Sequence, residues 1–275
     1  MWLTIHSYAS CFLILYGIHS SLFTEALYAE GQASVFTLEK NEVPFVALIK
    51  EKSSRLHLCT GSLITKRHIL TATSCMEGAR KLNELRAVFR TSLPGSSLSK
   101  SFEISTSVSY QDWCGNSINC ILDKSTDDIS ILELNVADTG IQPAVIRYDL
   151  NKPESLVRLV GWGATEKFLR PSWPREGFGF ILTKQECERR VKNLIPVCLS
   201  DTVLPDKVLC AASDPAVLGM DGDFGGPVIP LEKTISAILI QRCPMYSPSD
   251  VNKYQINLLL RLEDFQEFIR DNTQV

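Results

Sequence analysis

Residues 219–227 have the sequence GMDGDFGGP, and the interpretation of the whole chain depends on them. The glycines, together with Asp223 and Pro227, shape a loop at this point. At the centre of the loop lies Phe224, whose benzyl side chain has no nucleophilic atom. These residues are therefore informative about shape, and they argue against nucleophilic chemistry at Phe224.

Residues 222–227, GDFGGP, resemble the nucleophile loop of the trypsin-like serine proteases, whose pattern is Gly-Asp-Ser-Gly-Gly-Pro. Two earlier segments, CTGSLI at 59–64 and LTATSC at 70–75, are similar to the family's Cys-Gly-Gly-Ser-Leu-Ile and Leu-Thr-Ala-Ala-His-Cys. Residues 127–134, DDISILEL, resemble its Asp-Ile-Ala-Leu-Leu-x-Leu, and residues 161–163, GWG, resemble the strand that opens its second barrel. The blocks occur in the family's order and at family-like spacing.

The resemblance implies an all-β fold of two six-stranded antiparallel β-barrels, followed by a C-terminal α-helix. It covers one domain of the peptidase S1 type over residues 30–275. It places the first barrel at about 33–140 and the second at about 141–258. Residues 259–272 carry apolar side chains at helical spacing, which predicts the C-terminal helix.

The N-terminal segment differs in composition from the rest of the chain. Residues 11–18, CFLILYGI, form an apolar run that is too short for a membrane span, which needs roughly 20 apolar residues. Small residues near positions 26–29 offer cleavage sites, so we interpret residues 1–29 as a secretory signal peptide, although they include no Lys or Arg. The alternative is a buried N-terminal helix. The signal peptide predicts a secreted, extracellular protein without a membrane span.

Composition argues against several other classes of function. The 275-residue chain has a net charge of −3 and a pI of about 5.9, so no basic field favours nucleic acid. The cysteines show neither Cys-x-x-Cys pairs nor nearby histidines at ligand spacing, so neither a metal site nor a cofactor is predicted. Removal of the signal peptide leaves eight cysteines, an even set typical of disulfides in a secreted chain.

The resemblance implies the bridges Cys59–Cys75 and Cys187–Cys210. A local bridge, Cys114–Cys120, would staple the polar loop at 110–125, either as a structural clip or as a partner-binding protrusion. Cys198 has no usual counterpart in the family, and Cys243 lacks its usual partner because that position holds Met220. Both belong to loops near the expected pocket. We predict that these two pair with each other.

The resemblance also assigns the positions of a catalytic triad. The general base falls at Ser74, the aspartate at Asp128 and the nucleophile at Phe224. Serine proteolysis needs a hydroxyl nucleophile, an imidazole base and a carboxylate, so only Asp128 keeps the required chemistry. The nearby His68 is expected in a turn between strands, which argues against a substitute base.

Other parts of the implied site are altered as well. The oxyanion-hole donors would be the backbone N–H groups of Gly222 and Phe224. Asp223 corresponds to the aspartate that pairs with a new N-terminus on activation, yet residues 32–37 show no activation site. A buried Asp223 therefore needs either another partner or protonation to the neutral form. The pocket floor falls at Leu218. Two bulky side chains, Arg242 and Asn252, are expected at wall positions and would narrow or block the pocket.

One hypothesis concerns the rings at the two altered triad positions. The base position has lost a ring and the nucleophile position has gained one. We expect Phe224 to lean into the volume that an imidazole would occupy, with Asp128 bonded to Ser74 or to backbone. The alternative is neutral drift after catalysis stopped mattering.

The resemblance therefore implies a secreted, non-catalytic serine protease homologue, of the kind numerous in insects and other invertebrates. Such a protein would bind extracellular proteins, namely active proteases, their inhibitors or their substrates. It would act as regulator, cofactor or decoy in a protease cascade of immunity, venom or reproductive fluid. Two alternatives stay open: an active serine-type endopeptidase with an atypical site, and a structural or carrier protein on a protease scaffold.

Overall fold

The structure is a computed structural model. It describes residues 28–29, 35–38, 42–53, 57–77, 81–90, 99–115, 120, 122–123, 126–149, 151–164, 171–194, 204–231, 233–243 and 254–274. The strands are β1 (Tyr28–Ala29), β2 (Val35–Thr37), β3 (Val46–Glu51), β4 (His57–Leu63), β5 (His68–Thr71), β6 (Leu85–Arg90), β7 (Ser99–Ser109), β8 (Ser130–Leu134), β9 (Val145–Ile146), β10 (Leu156–Gly161), β11 (Arg175–Ile181), β12 (Val208–Ala212), β13 (Val217–Leu218), β14 (Pro227–Ile229), β15 (Thr234–Ile235), β16 (Ala237–Cys243) and β17 (Ile256–Arg261). The helices are α1 (Ser74–Glu77), α2 (Tyr110–Gly115), α3 (Lys184–Asn193) and α4 (Gln266–Thr273), with 3₁₀ turns at Leu82–Glu84 and Leu262–Phe265.

Six strands in the N-terminal half form a closed antiparallel barrel in the order β3-β4-β5-β8-β7-β6. The sequence of β6, LRAVFR, alternates buried and half-buried residues, as expected where one face of a strand fills the barrel. Two Phe side chains from neighbouring strands, Phe89 and Phe102, meet edge to face with ring centroids 6.0 Å apart. The barrel interior is therefore a packed core.

The C-terminal half forms a second barrel in the order β10-β14-β16-β17-β12-β11, closed by pairing between β10 and β11. All of these pairings are antiparallel. The predicted all-β fold of two six-stranded barrels with a C-terminal helix is thus confirmed.

Two predicted boundaries need correction. The helix expected at 259–272 begins only at Gln266, because residues 258–260 are fully buried and pair on both sides, with β12 and with β16. An apolar run flanked by two strands satisfies its backbone within the sheet, so the second barrel continues to Arg261 rather than about 258. Strand β2, assigned to the first barrel, instead extends β11 of the second.

The loop at 219–226 lies between β13 and β14, where the two barrels meet. The backbone N–H of Thr60, on β4 of the first barrel, donates to the carbonyl of Phe224 at 3.0 Å. Strand β13, just before the loop, pairs with β1 through Leu218 and Val217. Residues 1–27 lie outside the described residues, so the signal peptide stays a prediction.

The three predicted disulfides that fall within the described residues are present: Cys59–Cys75, Cys114–Cys120 and Cys187–Cys210. Cys243 is buried and disulfide-bonded. The predicted partner of Cys243, Cys198, lies outside the described residues, so that pairing stays a prediction. No helix in the described segments has the length and apolar character needed to cross a membrane.

Candidate functional site

The loop at 219–226 has a backbone path that glycine alone fits at its centre. Gly222 has φ +100° and Gly225 has φ +79°, in the left-handed region that L side chains rarely adopt. A Cβ on Gly225 would lie 2.2 Å from Thr71 Oγ1, 2.5 Å from the Thr60 carbonyl oxygen and 2.6 Å from the Ala72 nitrogen. The glycines are therefore required to bring the loop against the first barrel.

Asp223 is fully buried and is held by main-chain donors. Its Oδ1 accepts from the Gly163 N–H at 2.6 Å, and its Oδ2 accepts from the Met220 N–H at 2.9 Å. A Cβ on Gly161 would come within 1.9 Å of Oδ1, and one on Gly163 within 2.4 Å of Cγ. The glycines of the GWG segment thus make room for the carboxylate. Backbone N–H groups are thus among the partners of Asp223, while residues 30–34 lie outside the described residues.

The two expected oxyanion-hole donors are available. The Asp221 carbonyl accepts from the Ala164 N–H at 2.8 Å. Because the peptide between Asp221 and Gly222 is trans, the Gly222 N–H points the opposite way from that carbonyl. Within the described part of the chain, neither the Gly222 N–H nor the Phe224 N–H donates a hydrogen bond. Whether the two N–H groups converge on one point as an oxyanion hole stays a prediction.

Thr60 binds this loop to the first barrel, a role that was not predicted from the sequence. It is fully buried, and its Oγ1 donates to the Gly222 carbonyl at 2.7 Å and accepts from the Trp162 N–H at 2.9 Å. With its own N–H bound to the Phe224 carbonyl, Thr60 contacts both sides of the loop. The signal was present in CTGSLI, where threonine replaces a glycine of the similar family segment.

Ser74 and Asp128, predicted at the base and aspartate positions, are in direct contact. The Ser74 hydroxyl donates to Asp128 Oδ2 at 2.7 Å, and the Ser74 backbone N–H donates to Asp128 Oδ1 at 2.7 Å. Both carboxylate oxygens are thus engaged by one serine at the first residue of α1. A carboxylate is far too weak a base to ionise a serine hydroxyl near neutral pH, so this pair has no proton-transfer role of the triad kind.

The Phe224 side chain is half-buried and packs against two clusters of buried apolar residues, one of which includes residues of both barrels. The Ser74–Asp128 contact is one of those expected from the sequence. The position of the Phe224 ring in the volume of an imidazole stays a prediction. Burial of such a ring contributes roughly 1.5–3 kcal/mol.

The pocket floor at Leu218 is buried, and Arg242 reaches across the segment that follows it. The guanidinium Nη1 of Arg242 donates to the Gly219 carbonyl at 3.1 Å and lies 2.7 Å from Met220 Sδ. The Arg242 side chain is only 14% exposed, although its charge lies 3.8 Å from Asp221. The Arg242 guanidinium therefore lies against the two residues that follow Leu218, and a narrowed or blocked pocket stays a prediction.

Asn257 also contacts the main chain around Leu218, and it was not predicted from the sequence. Its Nδ2 donates to the Val217 carbonyl at 2.7 Å, and its Oδ1 accepts from the Gly219 N–H at 2.8 Å, with the side chain buried. The amide thus bridges the main chain on both sides of Leu218. The wall residue proposed from sequence, Asn252, lies outside the described residues.

His68 is the first residue of β5 rather than part of the turn, which is a correction to its predicted position. Its Nδ1 lies 2.8 Å from Thr65 Oγ1. Burial lowers the pKa of His68, with Glu133 raising it and Arg67 lowering it by smaller amounts. These partners belong to the far end of β5, away from Ser74. The described residues contain no cluster of three or more metal-ligating side chains.

Comparison with known proteins gives two findings. A family model described as Trypsin matches residues 34–256. The chymotrypsin of Phaedon cochleariae is 25% identical over a 202-residue alignment that covers 69% of this chain and 65% of that protein. The chain therefore spans slightly less than two thirds of the length of this curated relative.

Proposed function

This chain belongs to the trypsin family of serine proteases, and we propose that it is a non-catalytic member that acts by binding other proteins. The observation that carries the proposal is the pairing of Ser74 with both oxygens of Asp128, at the place where an imidazole would have to lie. A triad needs that imidazole between a carboxylate and a nucleophile. Here the carboxylate is engaged by a serine, and the nucleophile position holds Phe224.

The side chains around the expected pocket support the same proposal. Arg242 and Asn257 lie beside Leu218 and are themselves bonded to main-chain groups. A substrate side chain would have to displace those hydrogen bonds and leave buried polar groups without partners, which costs about 1–3 kcal/mol for each group. Weak binding of substrate side chains and the lack of a nucleophile act in the same direction.

The main-chain frame of the cleft favours a continued role in protein binding over loss of all function. The loop keeps a conformation that requires a glycine at 225 and the hydrogen bonds of Asp223 and Thr60, although under this proposal no reaction depends on it. We therefore infer that the surface around the loop is used for contact with proteins. The disulfides favour an extracellular setting, since such bonds persist in oxidising environments.

Within that setting the proposed partners are active proteases, protease inhibitors or their substrates. The protein would act as a regulator, cofactor or decoy in an extracellular protease cascade, as in immunity, venom or reproductive fluid. An atypical serine endopeptidase is the first alternative, with Ser74 as its nucleophile. A structural or carrier protein on the same scaffold is the second.

Labelling with a fluorophosphonate probe tests this proposal against the first alternative. We expect the native, disulfide-bonded protein to gain no probe mass, because no hydroxyl is activated by a neighbouring imidazole. Active chymotrypsin in the same buffer is the positive control, and Ser74→Ala is the matched variant. Stoichiometric labelling that Ser74→Ala abolishes would overturn the proposal.

Affinity capture from the native fluid tests it against the second alternative. The immobilised protein should retain a protease or a protease inhibitor, identified by mass spectrometry and by its activity. Capture of neither, in a fluid where both are abundant, would favour the structural or carrier role.

A further inference from the structure

A groove of about 390 Å³ lies between α2 and the C-terminal helix region, and the proposed cleft does not include it. Helix α2 follows β7 and leads into the Cys114–Cys120 bridge. From the sequence, the role of this bridge was either a structural clip or the support of a partner-binding protrusion. The groove beside it offers an observation that favours binding.

The floor and one wall of the groove are aromatic. Tyr110 packs edge to face on Phe265 and Phe268, with ring centroids 4.7 and 5.5 Å away. Trp113 lies 5.4 Å from Tyr110 and 5.8 Å from Phe268. The two phenylalanines are fully buried, whereas Tyr110 and Trp113 remain half-exposed and present their rings to the groove.

Rigid local structure fixes these rings. Ser109 caps α2, since its Oγ accepts from the Asp112 N–H at 3.0 Å and donates to the Asp112 carboxylate at 2.6 Å. The Tyr110 hydroxyl lies 3.3 Å from Cys120 Sγ, so the disulfide closes over the tyrosine. The groove is therefore formed before any partner arrives, which limits the entropy cost of binding.

The opposite rim carries carboxylates from the C-terminal helix region. Glu263 and Asp264 share one cation, Arg261, at 3.5 and 2.8 Å. Glu267 is exposed and forms no ion pair with any described residue. Arg270 also borders the groove, but it is 63% exposed and lies 3.4 Å from Asp271. The rim is acidic on balance.

The carboxylates near the groove act electrostatically on Tyr110, which forms part of its aromatic wall. Burial raises the pKa of Tyr110, and the nearby carboxylates Asp127, Asp264 and Glu267 raise it further. Negative potential at the tyrosine hydroxyl is what a cation in the groove would neutralise. The same negative potential would repel an anion.

We propose that this groove is a docking site for a basic side chain, arginine or lysine, on an exposed segment of a partner protein. The guanidinium or ammonium group lies over the Trp113 and Tyr110 rings, within the distance at which cation–π attraction operates. Its N–H groups donate to Glu267 and Glu263 on the rim. The site is separate from the cleft, so it does not depend on whether the cleft is catalytic.

A titration with model peptides tests the proposal on the full, disulfide-bonded chain. The probe is the peptide Gly-Ser-Arg-Ser-Arg-Gly, and its counterpart carries glutamate at both arginine positions. The readout is the chemical shift of the Trp113 indole N–H in ¹⁵N-labelled protein. The arginine peptide should shift this resonance in a saturable manner, with weaker binding as salt is raised, whereas the glutamate peptide should not.

Two variants and a matched control locate the binding. Glu267→Gln removes an exposed charge without touching the core, and it should weaken binding of the arginine peptide about threefold or more. Trp113→Leu should weaken it at least as much, by a readout of the neighbouring backbone amides. Asp149→Asn, which removes a carboxylate paired with Arg147 outside the groove, should leave the affinity unchanged.

Three results would overturn the proposal. The first is the absence of any shift with arginine peptide at about 5 mM, well above a Kd of about 1 mM. The second is equal binding of the glutamate peptide. The third is a Glu267→Gln variant that folds and binds as well as the unaltered protein.

Discussion

A Gly225→Ala variant is expected to lose about 3–5 kcal/mol of its free energy of unfolding, or to fail to fold. The added Cβ would force a residue with φ +79° into a strained conformation, which costs about 1–3 kcal/mol. It would also lie within 2.6 Å of two backbone atoms, the Thr60 carbonyl oxygen and the Ala72 nitrogen, which cannot move without shifting β4 and β5. Overpacking of this kind costs about 1–3 kcal/mol more.

Urea unfolding monitored by tryptophan fluorescence measures this loss. Gly115→Ala is the matched control, because a Cβ there has no heavy atom within 4 Å and the change should alter stability by no more than about 0.5 kcal/mol. Equal stabilities of the two variants would show that the loop does not require its glycine at 225.

Replacement of Lys207 by methionine should lower the free energy of unfolding by about 3–5 kcal/mol, since one partner of a buried ion pair is removed. Lys207 binds Asp127, whose side chain is only 1% exposed. The other Asp127 oxygen accepts from the Asp123 N–H at 2.7 Å, so the carboxylate organises the segment just before Asp128. Without the ammonium group, the charge of Asp127 stays buried and poorly compensated.

Lys184→Met provides the comparison for this effect. Lys184 pairs with Asp206 at the surface, where the side chains are 58% and 79% exposed. An exposed pair is worth about 1 kcal/mol or less, so Lys184→Met should change the unfolding midpoint little. A Lys207→Met variant as stable as Lys184→Met would contradict the assignment of a buried, structural ion pair between the barrels.

The sequence predicted the fold well because its evidence is local and ordered. Residues 222–227 and the GWG segment each specify a backbone shape, and the structure shows why: their glycines make room for Asp223 and for β4. The Cys59–Cys75 disulfide was predictable for a related reason. The two cysteines lie 16 residues apart, on one hairpin and the turn after it, so their spacing is a local feature of the sequence. Patterns of this kind depend on the backbone shape and not on the residue at position 224.

The residues around the pocket were predicted only in part: Arg242 on β16 was expected there, whereas Asn257 on β17 was not. A one-residue irregularity in the β16–β17 register changes which residues of the two strands lie opposite one another. Asn252, the other wall residue expected from the sequence, lies outside the described residues. The start of α4 was predicted too early because leucines that are buried on both faces of a strand also fit helical spacing.

Thr60 illustrates a third limit. Its hydroxyl joins two barrels over a sequence separation of more than a hundred residues, and only the folded chain brings Gly222 and Trp162 to it. In the sequence, position 60 differs from the similar family segment only by a threonine in place of a glycine. That difference does not predict which residues the threonine contacts. Contacts of this long-range kind can be read only from the folded chain.

The most direct test of the central claim, that this trypsin-family chain binds without catalysis, is peptide turnover by the purified native protein. A library of fluorogenic peptides covering basic, aromatic and aliphatic side chains should be cleaved no faster than in buffer, for the unaltered protein and for Ser74→Ala alike. Cleavage above the buffer rate that co-purifies with the protein and disappears in Ser74→Ala would contradict the claim.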